Sequence, residues 1–177
     1  MNICVFCSSK KELTPSTFAQ ADDFCNRLVE KKHGFVYGGG LVGLMGHMAD
    51  KVLENKGEAI GVIPEGLFPN EVAHPGLTEL IYVEDLMARK KKMMELSDAF
   101  VIFPGGIGTL DEALEVMTWK SIKNFKKEII FFNWEGFWDP LFDLLKHYEK
   151  EKVFYPETME SFAVANTVDE IFKELEK

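Results

Sequence analysis

Short apolar runs alternate with longer amphipathic stretches from one end of the chain to the other. The runs are NICVF at 2–6, GFVY at 34–37, AIGVI at 59–63, TELIYV at 78–83, AFVIF at 99–103, EIIFF at 128–132 and FAVAN at 162–166. Between and after them, residues 15–32, 43–55, 85–96, 109–122, 137–150 and 168–176 carry apolar positions three and four apart, the spacing of a helix with one buried face. Strands that are apolar throughout, instead of alternating, are covered on both faces, and helices between them provide the cover. The pattern predicts an α/β fold: a doubly wound parallel sheet with helices on both faces, as a single domain over residues 1–177. Thr14 before Pro15 supplies a cap and a first-turn proline for the first helix. There is no internal repeat, low-complexity tract or linker.

Composition narrows the functional classes. At 177 residues and 46% hydrophobic content, the chain has enough apolar surface for one compact core. A net charge of −9 repels the phosphate backbone, so no nucleic-acid partner is expected. No run approaches the length of a membrane span, and the first residues lack the features of a secretory signal, so a cytoplasmic protein with no membrane partner is expected. The three cysteines are odd in number. Cys4 and Cys7 spell CxxC inside a strand, where residues three apart point to opposite faces, so they read as core instead of a redox pair. Cys25 shares a helical face with Phe18, Ala21 and Leu28. His33, His47, His74 and His147 are scattered, which leaves metal chemistry without support.

In a doubly wound sheet, ligands bind beyond the carboxyl ends of the strands. Three loops there are rich in small residues: CSSK at 7–10, YGGGLVGLMG at 37–46 and FPGGIGTLDE at 103–112. Gly38, Gly40 and Gly43 match the GxGxxG dinucleotide fingerprint, with Glu65 after the next strand. The match follows the second strand, however, where the fingerprint follows the first. In the last loop, Thr109 and Glu112 have the spacing of a capping box. A cap does not explain why Gly105, Gly106 and Gly108 all lack side chains. Bare backbone at a helix start is what an anion needs, since it offers amide donors and partial positive charge. One helical turn rises about 5.4 Å, similar to the distance from a nucleotide's 5'-phosphate to its ribose, so Glu112 would face the sugar.

The stretch DLMARKKKMMEL adds a cation. Lys91 and Lys92 fit a solvated face, but Arg89 shares the face of Leu86 and Met93, which should point inward. An inward guanidinium requires a partner, and Glu112 or a bound phosphate would serve.

These residues carry a resemblance over nearly the whole chain. GGGLVGLMG at 38–46, ARKKKM at 88–93 and PGGIGTLDE at 104–112 resemble the motifs of the LONELY GUY (LOG) family. Its members are cytokinin riboside 5'-monophosphate phosphoribohydrolases, long mislabelled lysine decarboxylases. The resemblance implies a Rossmann-like homodimer that needs no cofactor and acts on a small-molecule nucleotide. The reaction would cleave the N-glycosidic bond of an adenine-type nucleoside monophosphate, giving free base and ribose 5-phosphate. It places the catalytic pair on Arg89 and Glu112, with Gly105, Gly106, Gly108 and Thr109 on the phosphate. The remaining expected substrate contacts are Ser8, Ser9, Gly39, Gly40, Met87, Lys90, Pro104 and Glu115. Ser8 stands where the family usually has glycine, and Met87 where it often has histidine.

Two rival classes share the fold. A nucleotide or cofactor carrier accounts for the glycines and leaves Arg89 and Glu112 unexplained. An NAD-dependent enzyme accounts for Gly38, Gly40, Gly43 and Glu65 and leaves the second loop idle. No lysine stands out as a Schiff base for pyridoxal phosphate.

Overall fold

The computed structural model describes residues 1–66, 72–123 and 125–177. Among these, seven strands form one sheet: β1 (Asn2–Phe6), β2 (Gly34–Tyr37), β3 (Ala59–Pro64), β4 (Glu79–Val83), β5 (Ala99–Ile102), β6 (Glu128–Phe132) and β7 (Ala163–Ala165). Their spatial order is β4-β3-β2-β1-β5-β6-β7, and every pairing is parallel. Strands 1 to 4 are laid down in one direction from β1 and strands 5 to 7 in the other. The winding therefore reverses between β1 and β5, where Phe6 lies beside Ile102. This opens the loops after β1 and β5 into a shared crevice.

Six α-helices cover the sheet: α1 (Pro15–Glu30), α2 (Gly43–Glu54), α3 (Leu86–Leu96), α4 (Ile107–Lys123), α5 (Asp139–Lys150) and α6 (Val168–Leu175). The two-residue period of a strand divides the core between the faces. Ile3, Val5 and Cys7 pack with Phe24, Leu28, Met48 and Phe172 on one side. Cys4, Phe6, Phe100 and Ile102 pack with Met93, Val116, Met117 and Phe142 on the other. Cys4 and Cys7 therefore belong to opposite faces, and all three cysteines are free and buried. The side chain of Thr14 caps α1 by accepting from the Thr17 amide, and Asp85 caps α3 by accepting from the Ala88 amide at 2.7 Å.

The departure from the sequence pattern that bears on the site is at α4, which begins two residues earlier than expected. The Leu110 amide donates to the Gly106 carbonyl at 3.0 Å, so Gly106 occupies the cap position and Thr109 lies inside the first turn. Thr109 and Glu112 therefore do not form a capping box.

Candidate active site

Where the winding reverses, a cleft of about 630 Å³ opens at the carboxyl ends of the strands. Its walls come from the β1 loop (Cys7, Ser8, Ser9, Lys10), the β2 loop with α2 (Gly40, Val42, Met45), α3 (Leu86, Arg89, Lys90) and the start of α4 (Gly106 to Thr109, Asp111, Glu112). Of the residues expected from the sequence, Ser8, Ser9, Gly40, Arg89, Lys90, Gly106, Gly108, Thr109 and Glu112 meet here. Gly39, Met87, Pro104, Gly105 and Glu115 lie outside these walls. Lys10, Val42, Met45, Ile107 and Asp111 also line the cleft, as do Cys7, expected as core, and Leu86, expected on the inward face of α3. Lys10 directly follows the serine pair in CSSK, a position that carried its own signal. The apolar liners had no local signal, because a surface leucine and a cleft leucine look alike in sequence.

Arg89 is 7% exposed. Its Nε donates to the Val62 carbonyl at 3.1 Å and its Nη2 to the Gly38 carbonyl at 2.7 Å. The inward guanidinium is thus anchored on backbone carbonyls within β3 and just past the end of β2, partners that the sequence did not suggest. Gly38 has to be glycine for this reason, since a Cβ there would occupy the space of the guanidinium.

The two glycine loops differ in what surrounds them. In the β2 loop, Gly43 has φ +71°, and a Cβ on it would strike the backbone of Ser9. The first amides of α2 are occupied as well, because Leu44 and Met45 both donate to the Ser8 carbonyl, at 3.1 and 3.3 Å. This loop is closed against the β1 loop. In the β5 loop, Gly105 is filled by the side chain of Thr109, whereas Cβ atoms on Gly106 and Gly108 would meet nothing within 4 Å. Among the described residues, no hydrogen bond engages the amides of Gly108 and Thr109. The start of the 17-residue α4 therefore faces the cleft with open donors and the positive end of its dipole.

Ser8 holds this arrangement together. Its amide donates to the Pro104 carbonyl at 3.2 Å, its carbonyl takes the two α2 amides, and its hydroxyl accepts from the Lys10 amide at 3.0 Å. Asp111, near the start of α4, pairs with Lys90 at 3.0 Å. Burial pushes the Cys7 thiol well above its ordinary value, and the charge of Glu112 pushes it further. Cys7 lines the cleft as a neutral thiol and supplies no nucleophile. Burial likewise raises Cys4, on which the charge of Glu112 and the opposing charge of Arg89 both act, so the two charges share one neighbourhood. No group of metal-ligating side chains occurs among the described residues.

The fold and cleft together define a doubly wound, Rossmann-like α/β protein with a cleft at its switch point. The chain belongs to the LOG family. The family described as possible lysine decarboxylase matches residues 45–175. The cytokinin riboside 5'-monophosphate phosphoribohydrolase LOG3 of Arabidopsis thaliana is 37% identical over 99% of this chain and 81% of its own length. The enzyme LOG of Oryza sativa subsp. japonica, of the same name, is 36% identical over 99% of this chain and 72% of its own. Among solved structures, a molybdenum cofactor binding protein from Rippkaea orientalis superposes with a TM-score of 0.71 at 19% identity, covering 99% of this chain and 97% of that one. The likeness to that structure concerns the fold.

Proposed function

We propose that the protein hydrolyses the N-glycosidic bond of an adenine-type nucleoside 5'-monophosphate, AMP or its N6-substituted cytokinin form, releasing free base and ribose 5-phosphate. The observation that carries this reading is the open start of α4, with Gly106 and Gly108 bare and amides unengaged, in the same cleft as Arg89 and Glu112. A 5'-phosphate on those amides leaves the ribose about one turn along the helix, at Glu112.

As the bond between C1' and the base nitrogen breaks, its electron pair leaves with the base and positive charge builds on the ribose. The Glu112 carboxylate stabilises that charge and takes a proton from the attacking water, whose oxygen bonds to C1'. The departing base takes up a proton from solvent and Glu112 gives its proton back to solvent, so one water is consumed per bond cleaved. General-base assistance of this kind is worth about 10² to 10⁴ in rate. Arg89, preorganised by its Val62 and Gly38 carbonyl partners, brings a positive charge into the same cleft as Glu112.

The closed β2 loop argues against the dinucleotide reading, since the α2 amides that would cradle a pyrophosphate are taken by Ser8. A carrier on the same fold needs neither Arg89 nor Glu112. We further propose a homodimer. On the exposed face of α4, Ile107, Leu114 and Ile122 stand beside Asp111 and Thr118, and Ile107 is 84% exposed.

Incubation with AMP and with N6-isopentenyl-AMP, followed by quantification of free base and ribose 5-phosphate, tests the reaction. Stoichiometric appearance of both products is expected. Tight nucleotide binding without either product would favour the carrier.

A further inference from the structure

Lys90 follows Arg89 on α3, and its side chain, 12% exposed, reaches across to α4. There its ammonium is shared between two carboxylates one helical turn apart, at 3.0 Å from Asp111 Oδ2 and 2.5 Å from Glu115 Oε2. The other oxygen of Glu115 accepts from the indole of Trp119 at 3.4 Å. Asp111 and Glu115 bracket Glu112, one residue before it and three after. Two anchors on one ammonium fix both the height and the rotation of this turn of α4, and a rotation would swing Glu112 around the helix axis by the same angle.

We infer that Lys90 is a positioning residue, a clamp on Asp111 and Glu115 that sets where the Glu112 carboxylate stands in the cleft with Arg89; this rests on the hydrolase reading above. The geometry disfavours direct phosphate binding by Lys90. The midpoint between the Asp111 and Glu115 backbone positions lies about 7.5 Å along the axis from Gly108, at 1.5 Å per residue, past the open amides. With two carboxylates on one ammonium, the local charge is also negative, which repels a phosphate dianion. Burial by itself would lower the pKa of Lys90, but its hydrogen bonds to Glu115 and Asp111 outweigh this and raise it, so the clamp stays charged.

Steady-state kinetics on whichever of AMP or N6-isopentenyl-AMP the parent hydrolyses provide the test, with Lys90→Met, Lys90→Arg, Glu115→Gln and the double variant K90M/E115Q. A clamp predicts that Lys90→Met loses about tenfold or more in kcat, the scale of a misplaced catalytic group, with KM within about threefold. Lys90→Arg should recover part of that loss. Glu115→Gln, although outside the cleft, should lower kcat in the same direction, and the double variant should lose no more than Lys90→Met alone, because both changes break one unit. Lys91→Ala, on the exposed face, is the control and should match the parent. If the Lys90→Met effect falls on KM while Glu115→Gln keeps its kcat, Lys90 binds phosphate and the clamp is wrong. Losses that multiply in the double variant would overturn it as well. A parent that releases no base from either nucleotide overturns the hydrolase reading, and the clamp with it; an active parent with unaffected variants overturns the clamp alone.

Discussion

Arg89 and Glu112 reach the same cleft from different helices, and their supports differ. Arg89 is buried and tied to the backbone of two strands. Replacing it removes a charge and leaves the Gly38 and Val62 carbonyls without these donors, a change that costs stability as well as activity. Glu112 gives the cleaner experiment. It lies inside α4 instead of at a cap, so Glu112→Gln keeps the shape of the side chain and removes only its charge. The variant should melt within a few degrees of the parent and still bind AMP, while turnover falls by about 10² or more. Thermal denaturation and a base-release assay on the same preparation check both halves. Unchanged turnover would remove Glu112 from the chemistry.

At the scale of elements, two glycine loops that look alike in sequence do different work. The β2 loop uses its glycines to close against neighbouring backbone, and the β5 loop leaves two of its glycines bare. Gly43→Ala puts a side chain at φ +71° and against Ser9, so it should destabilise by about 2 kcal/mol or more and lower Tm by roughly 4 °C or more. Gly106→Ala meets nothing in the protein and costs only the poorer cap of alanine, so Tm should fall by no more than a few degrees while the added methyl narrows the cleft and weakens nucleotide binding. Differential scanning calorimetry alongside AMP titration separates the two. A Gly106 variant that binds AMP like the parent would move the phosphate away from the α4 start.

For the whole molecule, the exposed face of α4 carries the proposed dimer contact. Ile107, Leu114 and Ile122 share one face of the helix, and Ile107 stands at the rim of the cleft. In a homodimer that buries this face, the sedimentation mass at micromolar concentration should be near twice the 20.2 kDa of one chain. Ile122→Glu, away from the cleft, should shift it towards the single-chain value by placing an unpaired charge in an apolar contact. A parent sedimenting as one chain would refute the dimer. No described helix is long and apolar enough to cross a membrane.

The order and identity of the elements were legible in the sequence, because burial on both faces writes continuous apolar strands and one-faced helices directly into the chain. The apolar runs at 2–6, 34–37 and 128–132 match β1, β2 and β6, and Thr14 caps α1 as its position implies. Arg89 was legible as an inward cation because its spacing from the buried Met93 conflicts with its charge, although Leu86, read on the same face, is exposed. Its carbonyl partners were not, since they sit 27 and 51 residues away on strands whose order in space no local pattern encodes. The α4 start, read as a capping box at Thr109, moved to Gly106 because backbone bonding in the folded loop set the first turn. Which glycine loop stays open was likewise beyond local reading: the Ser8 carbonyl closes one helix start, and nothing in the described structure closes the other. Sequence periodicity records what each residue needs from its surroundings, whereas the partner that meets the need is chosen only when the strands are stacked in their final order.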